Sequence, residues 1–296
     1  MRISGSLSAA VLACALLAPQ GQAAAQESTT TPPPRLTAPA QHLFPDSSNL
    51  TDSGFKIQGR DLASPVRVRL ERKGRLVWKT TVRTRAFESI PLPARTVRSL
   101  KTGTYRLTLI TGEVSKQTTV RVHRRWAPLF HDRGFFTPAG FPRCSTITWS
   151  YDGEGSPGGT RGVVADLKVV FDRYAELTGL TFTRVKSPSR AEIVISWDDI
   201  PFADGIGGSS WDGRTFTSGT VTLSISSAWA RTPGFSDRGR GSLLFHETGH
   251  VLGLGHVRDK ATLMHDIFYG GTTRGEPGKA EIAGLRYLYR PGSCSR

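Results

Sequence analysis

Apolar and polar residues alternate along Val66-Arg67-Val68-Arg69-Leu70, and the same period returns in Tyr105-Arg106-Leu107-Thr108-Leu109 and Thr119-Val120-Arg121-Val122. A period of two sends successive side chains to opposite faces, so each stretch predicts a strand with one buried face. Lys73-Gly74, Thr102-Gly103 and Thr111-Gly112 punctuate these stretches as turns. Together they predict a small all-β, sandwich-like domain over residues 50–125. Further along, Val163, Val164, Leu167, Val170, Phe171 and Tyr174 recur at helical spacing until Thr178-Gly179 closes the element. Residues 147–150, 182–185, 193–197 and 221–225 read as short apolar strands, and Leu285, Leu288 and Tyr289 would bury a last helix. Strands interleaved with helices predict an α/β domain over residues 141–296, reached through a connector at 126–140.

Within the α/β part, residues 246–256 read H-E-T-G-H-V-L-G-L-G-H. On a helix, His246 and His250 project from one face one turn apart, close enough to grip a single metal ion. Glu247 leaves the same turn at a different angle and can reach a water in the metal's open position without being a ligand. Gly253 tolerates the positive φ that ends a helix and turns the chain back, which would return His256 to the same ion. One histidine on an amphipathic helix is ordinarily a hydrogen-bonded core residue. Five identities at these spacings, in a helix weakened by Gly249 and Gly253, point instead to a zinc ion as cofactor.

Met264 follows His256 by eight residues, in A-T-L-M. With it, the run resembles the metzincin zinc endopeptidases, whose signature H-E-x-x-H-x-x-G-x-x-H is matched without a gap. Among them it is most similar to the matrixin, or matrix metalloproteinase-like, branch. The resemblance covers about residues 141–296 and implies a twisted, mostly parallel sheet, a long helix, an active-site helix and a C-terminal helix. It also implies that Met264 forms a structural turn beneath the ligands. Three positions depart from the branch: Val257 stands where Ser or Thr is usual, and His265 and Asp266 follow the methionine where Tyr-Pro is usual. His265 would either sit on the surface or donate a hydrogen bond during catalysis.

The stretch 204–216 is rich in glycine and precedes a strand, so Gly207, Gly208 and Ser209 are expected on a sheet edge along which an extended polypeptide substrate could lie. A plain loop is the other reading. Family members often bind calcium, so Ca2+ is a possible second cofactor. Asp198, Asp199, Asp204 and Asp212 lack a calcium-loop spacing, however, and solvated loop carboxylates account for them equally.

Arg2 precedes an apolar stretch ending in small residues at Ala23 and Ala25, which predicts a signal peptide over residues 1–25 and a secreted, extracellular protein. Residues 26–49, with T-T-T-P-P-P, read as a linker. Cys144 and Cys294 would form a disulfide in an exported chain. The alternative is that Pro142-Arg143-Cys144 serves as a zinc-blocking cysteine, since it resembles the family's propeptide motif. Residues 55–125 carry 18 Lys and Arg against 4 acids, whereas 126–296 carry 19 against 17. Arg67, Arg69, Arg83, Arg85, Arg106 and Arg121 would therefore build a cationic face suited to an anionic polymer or cell surface, or simply a solvated basic surface. No nucleic-acid recognition motif and no membrane span is legible, and a monomer is expected. The expected function is a secreted endopeptidase whose zinc-bound water is activated by Glu247. Two alternatives stay open: a cationic surface- or polymer-binding protein with a structural metal site, and a zinc amidase acting on cell-wall peptides.

Overall fold

The computed structural model describes residues 41–48, 55–58, 65–82, 89–112, 114–129, 131–132, 135–136, 138–157, 159–236, 238–266 and 275–291. The predicted signal peptide, most of the linker, Arg83, Arg85 and Cys294 lie outside them.

The basic domain begins earlier than its turn signals suggest. Gln41–Leu43 (β1) lies inside the stretch read as linker, yet it pairs in parallel with Val120–Val122. Phe55–Gln58 (β2), Val66–Arg72 (β3), Arg75–Val82 (β4), Ser89–Leu92 (β5), Ala94–Ser99 (α1), Gly103–Thr111 (β6) and Val114–Val122 (β7) follow. Five of these strands form one sheet in the order β1-β7-β6-β3-β4, and β2 pairs with β5. The alternation has the predicted consequence: Val66, Val68, Leu70, Leu107, Leu109, Val120 and Val122 are buried, while Arg67, Arg69, Arg106 and Arg121 are exposed. The all-β expectation needs one correction. Ala94 and Val97 of α1 are buried in the same core, so a short helix shares the covering of the sheet. Pro93 directly ahead of it, with φ of −56°, suits a helix start and hid the element from a search for period-two alternation.

The predicted connector is built into the second domain. Trp126, Ala127 and Ala139 are buried in that domain's core, and Ala127–Pro128 (β8) pairs with residues 254–255. His131–Asp132 (β9) and Phe135–Phe136 (β10) form a small ladder. The main sheet then uses Thr146–Tyr151 (β11), Thr181–Arg184 (β12), Ile193–Asp198 (β13), Gly205–Trp211 (β14) and Phe216–Ser224 (β15), in the order β12-β11-β13-β15-β14. All its pairings are parallel except β14 with β15, as the resemblance implied.

Thr160–Thr178 (α2) packs on this sheet through Val163, Leu167, Val170, Phe171 and Tyr174, all buried. It stops where predicted, at Gly179, whose φ of +74° belongs to a left-handed cap. Ala228–Arg231 (α3), Arg240–Val251 (α4), Leu254–Gly255 (β16) and Lys279–Tyr289 (α5) follow among the described residues. No helix among the described residues is long and apolar enough to cross a membrane.

Candidate metal centre

Every residue of α4 is buried, and four side-chain contacts fix where the helix lies. Tyr174 of α2 donates its hydroxyl to the carbonyl of Phe245 at 2.6 Å. Tyr289 of α5 donates to the carbonyl of Leu252, just past the helix, at 3.0 Å. At the start of α4, Arg240 is 2% exposed and binds Asp166 of α2 through Nη2 at 2.7 Å and Nε at 2.9 Å. Ser209 of β14 donates to the carbonyl of Val251 at 2.7 Å. The helix ends as predicted: Gly253 has a φ of +97° and turns the chain toward β16 and His256.

The three predicted ligands meet. The Nε2 atoms of His246 and His250 are 3.1 Å apart, those of His246 and His256 3.2 Å, and those of His250 and His256 3.0 Å. Whether a cation fits can be tested from the protons. Nδ1 of His246 contacts the carbonyl of Leu263 at 2.7 Å, and Nδ1 of His250 contacts that of Leu254 at 2.8 Å. A carbonyl can only accept, so each Nδ1 carries the proton and each Nε2 of a neutral ring presents a lone pair. Two lone pairs facing each other at 3.1 Å have no hydrogen bond between them. A shared cation satisfies both, and Zn2+ suits three nitrogen donors of this kind.

Electrostatics favour the same state. Burial, reinforced by the charge of its histidine neighbours, holds His246 well below the ordinary imidazole range. Burial and His256 hold His250 down to about 3, and burial lowers His256. All three are therefore neutral near pH 7, as ligation requires.

Glu247 turns from the ligand face into a cavity of about 510 Å³, which is bordered also by Phe202, Ile206, Leu243 and Asp266. Burial pushes its carboxyl up to about 8, against a hydrogen bond from the backbone of Gly207 that favours the ionised form, with nearby Asp204 raising it further. A dication beside it would favour the carboxylate.

Gly207, Gly208 and Ser209 lie on β14, which is the edge strand of the sheet, so this part of the stretch is a strand, while residues 212–215 turn the chain into β15. Its glycines have distinct roles. A Cβ at Gly207 would stand 2.1 Å from the backbone oxygen of Glu247, so the bare residue lets strand and helix meet, whereas at Gly208 nothing lies within 4 Å. Ser209 is committed to α4.

Met264 is buried, and its sulfur lies 2.8 Å from where a Cβ on Gly249, between His246 and His250, would stand. Its N–H donates to Oε1 of the buried Glu281 at 3.3 Å, and Oε2 of that side chain accepts from the N–H of Gly278 at 2.9 Å. Sequence reasoning missed Glu281. Its position three residues after Gly278 has the spacing of a helix-capping acid, but nothing in the chain announces that it also reaches the methionine turn. Arg240 with Asp166 was missed in the same way. His265 is 6% exposed, which corrects the surface option. The aspartates considered for calcium serve their own loops in part: Oδ1 of Asp212 accepts from the N–H of Arg214 and of Thr215, both at 2.8 Å, and Oδ1 of Asp198 accepts from that of Asp199 at 2.7 Å.

Comparison with known proteins agrees with this geometry. The Matrixin family model matches residues 141–290. Metalloendoproteinase 5-MMP of Arabidopsis thaliana is 34% identical over 134 residues, which cover 40% of this chain and 37% of that protein. Hatching enzyme of Paracentrotus lividus is 28% identical over 165 residues, covering 52% of this chain and 27% of its own. Metalloendoproteinase 2-MMP of Arabidopsis thaliana is 29% identical over 133 residues, covering 40% and 35%. The chain thus aligns with well under half the length of each relative. A single segment, the one that forms the histidine trio and the sheet around it, carries both the family match and the site geometry, and by it the chain belongs to the matrixin family.

Proposed function

We propose that this protein is an exported, zinc-dependent endopeptidase. The observation that carries the reading is the meeting of three Nε2 atoms within 3.2 Å beside the buried carboxyl of Glu247, on a cavity open to substrate. Zinc held by His246, His250 and His256 would supply Lewis-acid polarisation of the scissile carbonyl and a water of lowered pKa. Glu247 accepts the proton of the attacking water and returns it to the departing amine. The Gly207 N–H holds that carboxylate toward the cavity. A substrate strand lies along the free edge of β14, its main chain hydrogen-bonded to the region of Gly207 to Ser209. The printed names of the two plant relatives support peptide hydrolysis.

A purely structural zinc site would close with a fourth protein ligand and would have no use for a carboxyl beside a cavity. That distinction favours the enzyme over the binding-protein reading. The exposed row Arg67, Arg69, Arg106 and Arg121 is then an accessory contact for an anionic polymer or surface. We also pair Cys144, which is disulfide-bonded, with Cys294, in keeping with export.

The test compares wild type with Glu247→Ala on a mixed peptide library, with zinc measured in both. We expect wild type to carry one zinc and cleave. The variant should keep its zinc and lose roughly 100- to 10,000-fold in rate, the usual contribution of a general base. Equal cleavage by both proteins would overturn the proposal.

A further inference from the structure

We infer that Asp46 is a positioning residue for the third histidine, and that the basic domain therefore acts as a clamp on the metal centre. The inference rests on reading His246, His250 and His256 as ligands of one ion.

The three histidines are not held alike. His246 and His250 share α4, and their Nδ1 atoms are tied to carbonyls. His256 lies beyond that helix, on residues 254–258, outside the main sheet. Its place must come from whatever flanks that segment.

Part of the flank is the catalytic domain's own. The N–H of Val257 donates to the carbonyl of Met264 at 2.8 Å, and β8 pairs with Leu254 and Gly255. The rest is the chain just after β1. Ser47 bridges Val257 in antiparallel fashion. The N–H of Ser48 donates to the carbonyl of His256 itself at 3.1 Å, and the N–H of Arg258 donates to the carbonyl of Asp46 at 3.0 Å. The third ligand is thus bracketed by main-chain hydrogen bonds from residues 46–48.

Asp46 makes this bracket rigid. Its Oδ1 accepts from Nη1 of Arg124 at 2.7 Å, and its Oδ2 accepts from the N–H of Arg125 at 2.8 Å. Arg125 has a φ of +74°, a left-handed conformation that L residues adopt at a cost, and the carboxylate offsets it by binding that amide. Arg124 continues inward, its Nε donating to the carbonyl of Leu100 at 2.9 Å, just past α1. Upstream, the N–H of His123 donates to the carbonyl of Leu43 at 2.9 Å. The two strands that join the domains therefore cross side by side, and one carboxylate pins both to the back of the third ligand.

The cavity at the metal centre is lined by residues between 202 and 266. Contact from residues 46–48 reaches His256 through its backbone, from behind. A partner bonded directly to a ligand's side chain typically adds roughly 10- to 100-fold to metal binding; Asp46 acts one step further out, through the main chain of residues 46–48, so the lower end of that range applies.

The experiment uses the full chain and reads zinc retention against a competing chelator, with activity as a second measurement. Asp46→Ala should surrender zinc up to roughly 10-fold more readily than wild type, and Asp46→Asn should fall between them. At saturating zinc, KM should stay at the wild-type value. Val68→Ala, a cavity in the core of the basic domain, controls for lost stability: its Tm should drop while its zinc retention stays wild-type. Wild-type zinc retention in Asp46→Ala, or equal zinc loss in Val68→Ala, would sink the inference and leave the ligand reading intact. A wild type that binds no zinc would instead remove the ligand reading beneath it.

Discussion

Met264 lies directly under Gly249, so close that a Cβ on the glycine would meet its sulfur at 2.8 Å. The glycine between His246 and His250 thus leaves room for the buried Met264 side chain, which would have to shift to admit a Cβ. Alanine would gain about 1 kcal/mol of helix propensity and lose about 1 to 3 kcal/mol to overpacking. The net cost is about 0 to 2 kcal/mol, so Gly249→Ala is expected to lower the Tm of the zinc-free protein by at most about 8 °C. A raised Tm in thermal unfolding would show that Met264 swings aside freely.

Gly207 is constrained by backbone, which yields less. An added Cβ would lie 2.1 Å from the carbonyl oxygen of Glu247 and 2.7 Å from its carbon. Gly207→Ala must push β14 away from α4 and take the amide off the Glu247 carboxyl. A shift near 1 Å at a catalytic group can cost on the order of 100-fold, so kcat/KM should fall by about that factor with zinc content unchanged. At Gly208 nothing lies within 4 Å of the added atom, and Gly208→Ala should lose less than about tenfold. Equal losses from the two variants would contradict this assignment.

Arg240 and Asp166 hold α4 against α2, with side-chain exposures of 2% and 13%. Removing one partner of such a pair leaves the other charge poorly solvated, at roughly 3 kcal/mol for this partly covered aspartate. Arg240→Ala should lower stability in urea unfolding by about that amount, and Arg240→Ala with Asp166→Ala should recover part of it. No recovery in the double variant would show that the guanidinium acts by packing alone.

His42 and His123 meet between β1 and the chain leaving β7, with Nδ1 and Nε2 2.9 Å apart and the hydroxyl of Tyr287 from α5 3.0 Å from His42. Burial first, then His42 and Arg121, hold His123 down to about 4, and burial with Arg121 also lowers His42. The unfolded imidazole titrates near 6.5, so between about pH 6.5 and 4 the unfolded chain binds more protons and stability rises with pH. The full contribution is present above about pH 6.5 and is lost on acidification. With solvent screening of this half-buried group it amounts to on the order of 1 kcal/mol. His123→Phe keeps a ring against Phe44 and Trp126 and should show a Tm that falls less between pH 7 and 4.5. Parallel curves for variant and wild type would assign the acid sensitivity elsewhere.

The convergence of the three histidines beside Glu247 was legible in the chain because helix geometry converts spacing directly into direction: residues four apart share a face, and a glycine with positive φ ends the turn. Alternation at residues 66–70 and helical recurrence at 163–174 predicted buried faces for the same local reason. What the spacing could not show were contacts between residues far apart in the chain with no period linking them. Glu281 under Met264, Arg240 on Asp166, and Gly207 against the backbone of Glu247 each depend on how separate elements pack. The same is true of Gln41–Leu43, whose partner strand lies some 80 positions downstream, and of Asp46, which sits in a polar stretch that reads as linker. The amino-acid sequence alone pointed to the atoms that could hold an ion. Only the tertiary packing decided what flanks His256, because the Asp46 carbonyl and Ser48 N–H that meet residues 256–258 are main-chain groups without a residue signature, and the Asp46 carboxylate finds Arg124 and Arg125 some 80 positions away.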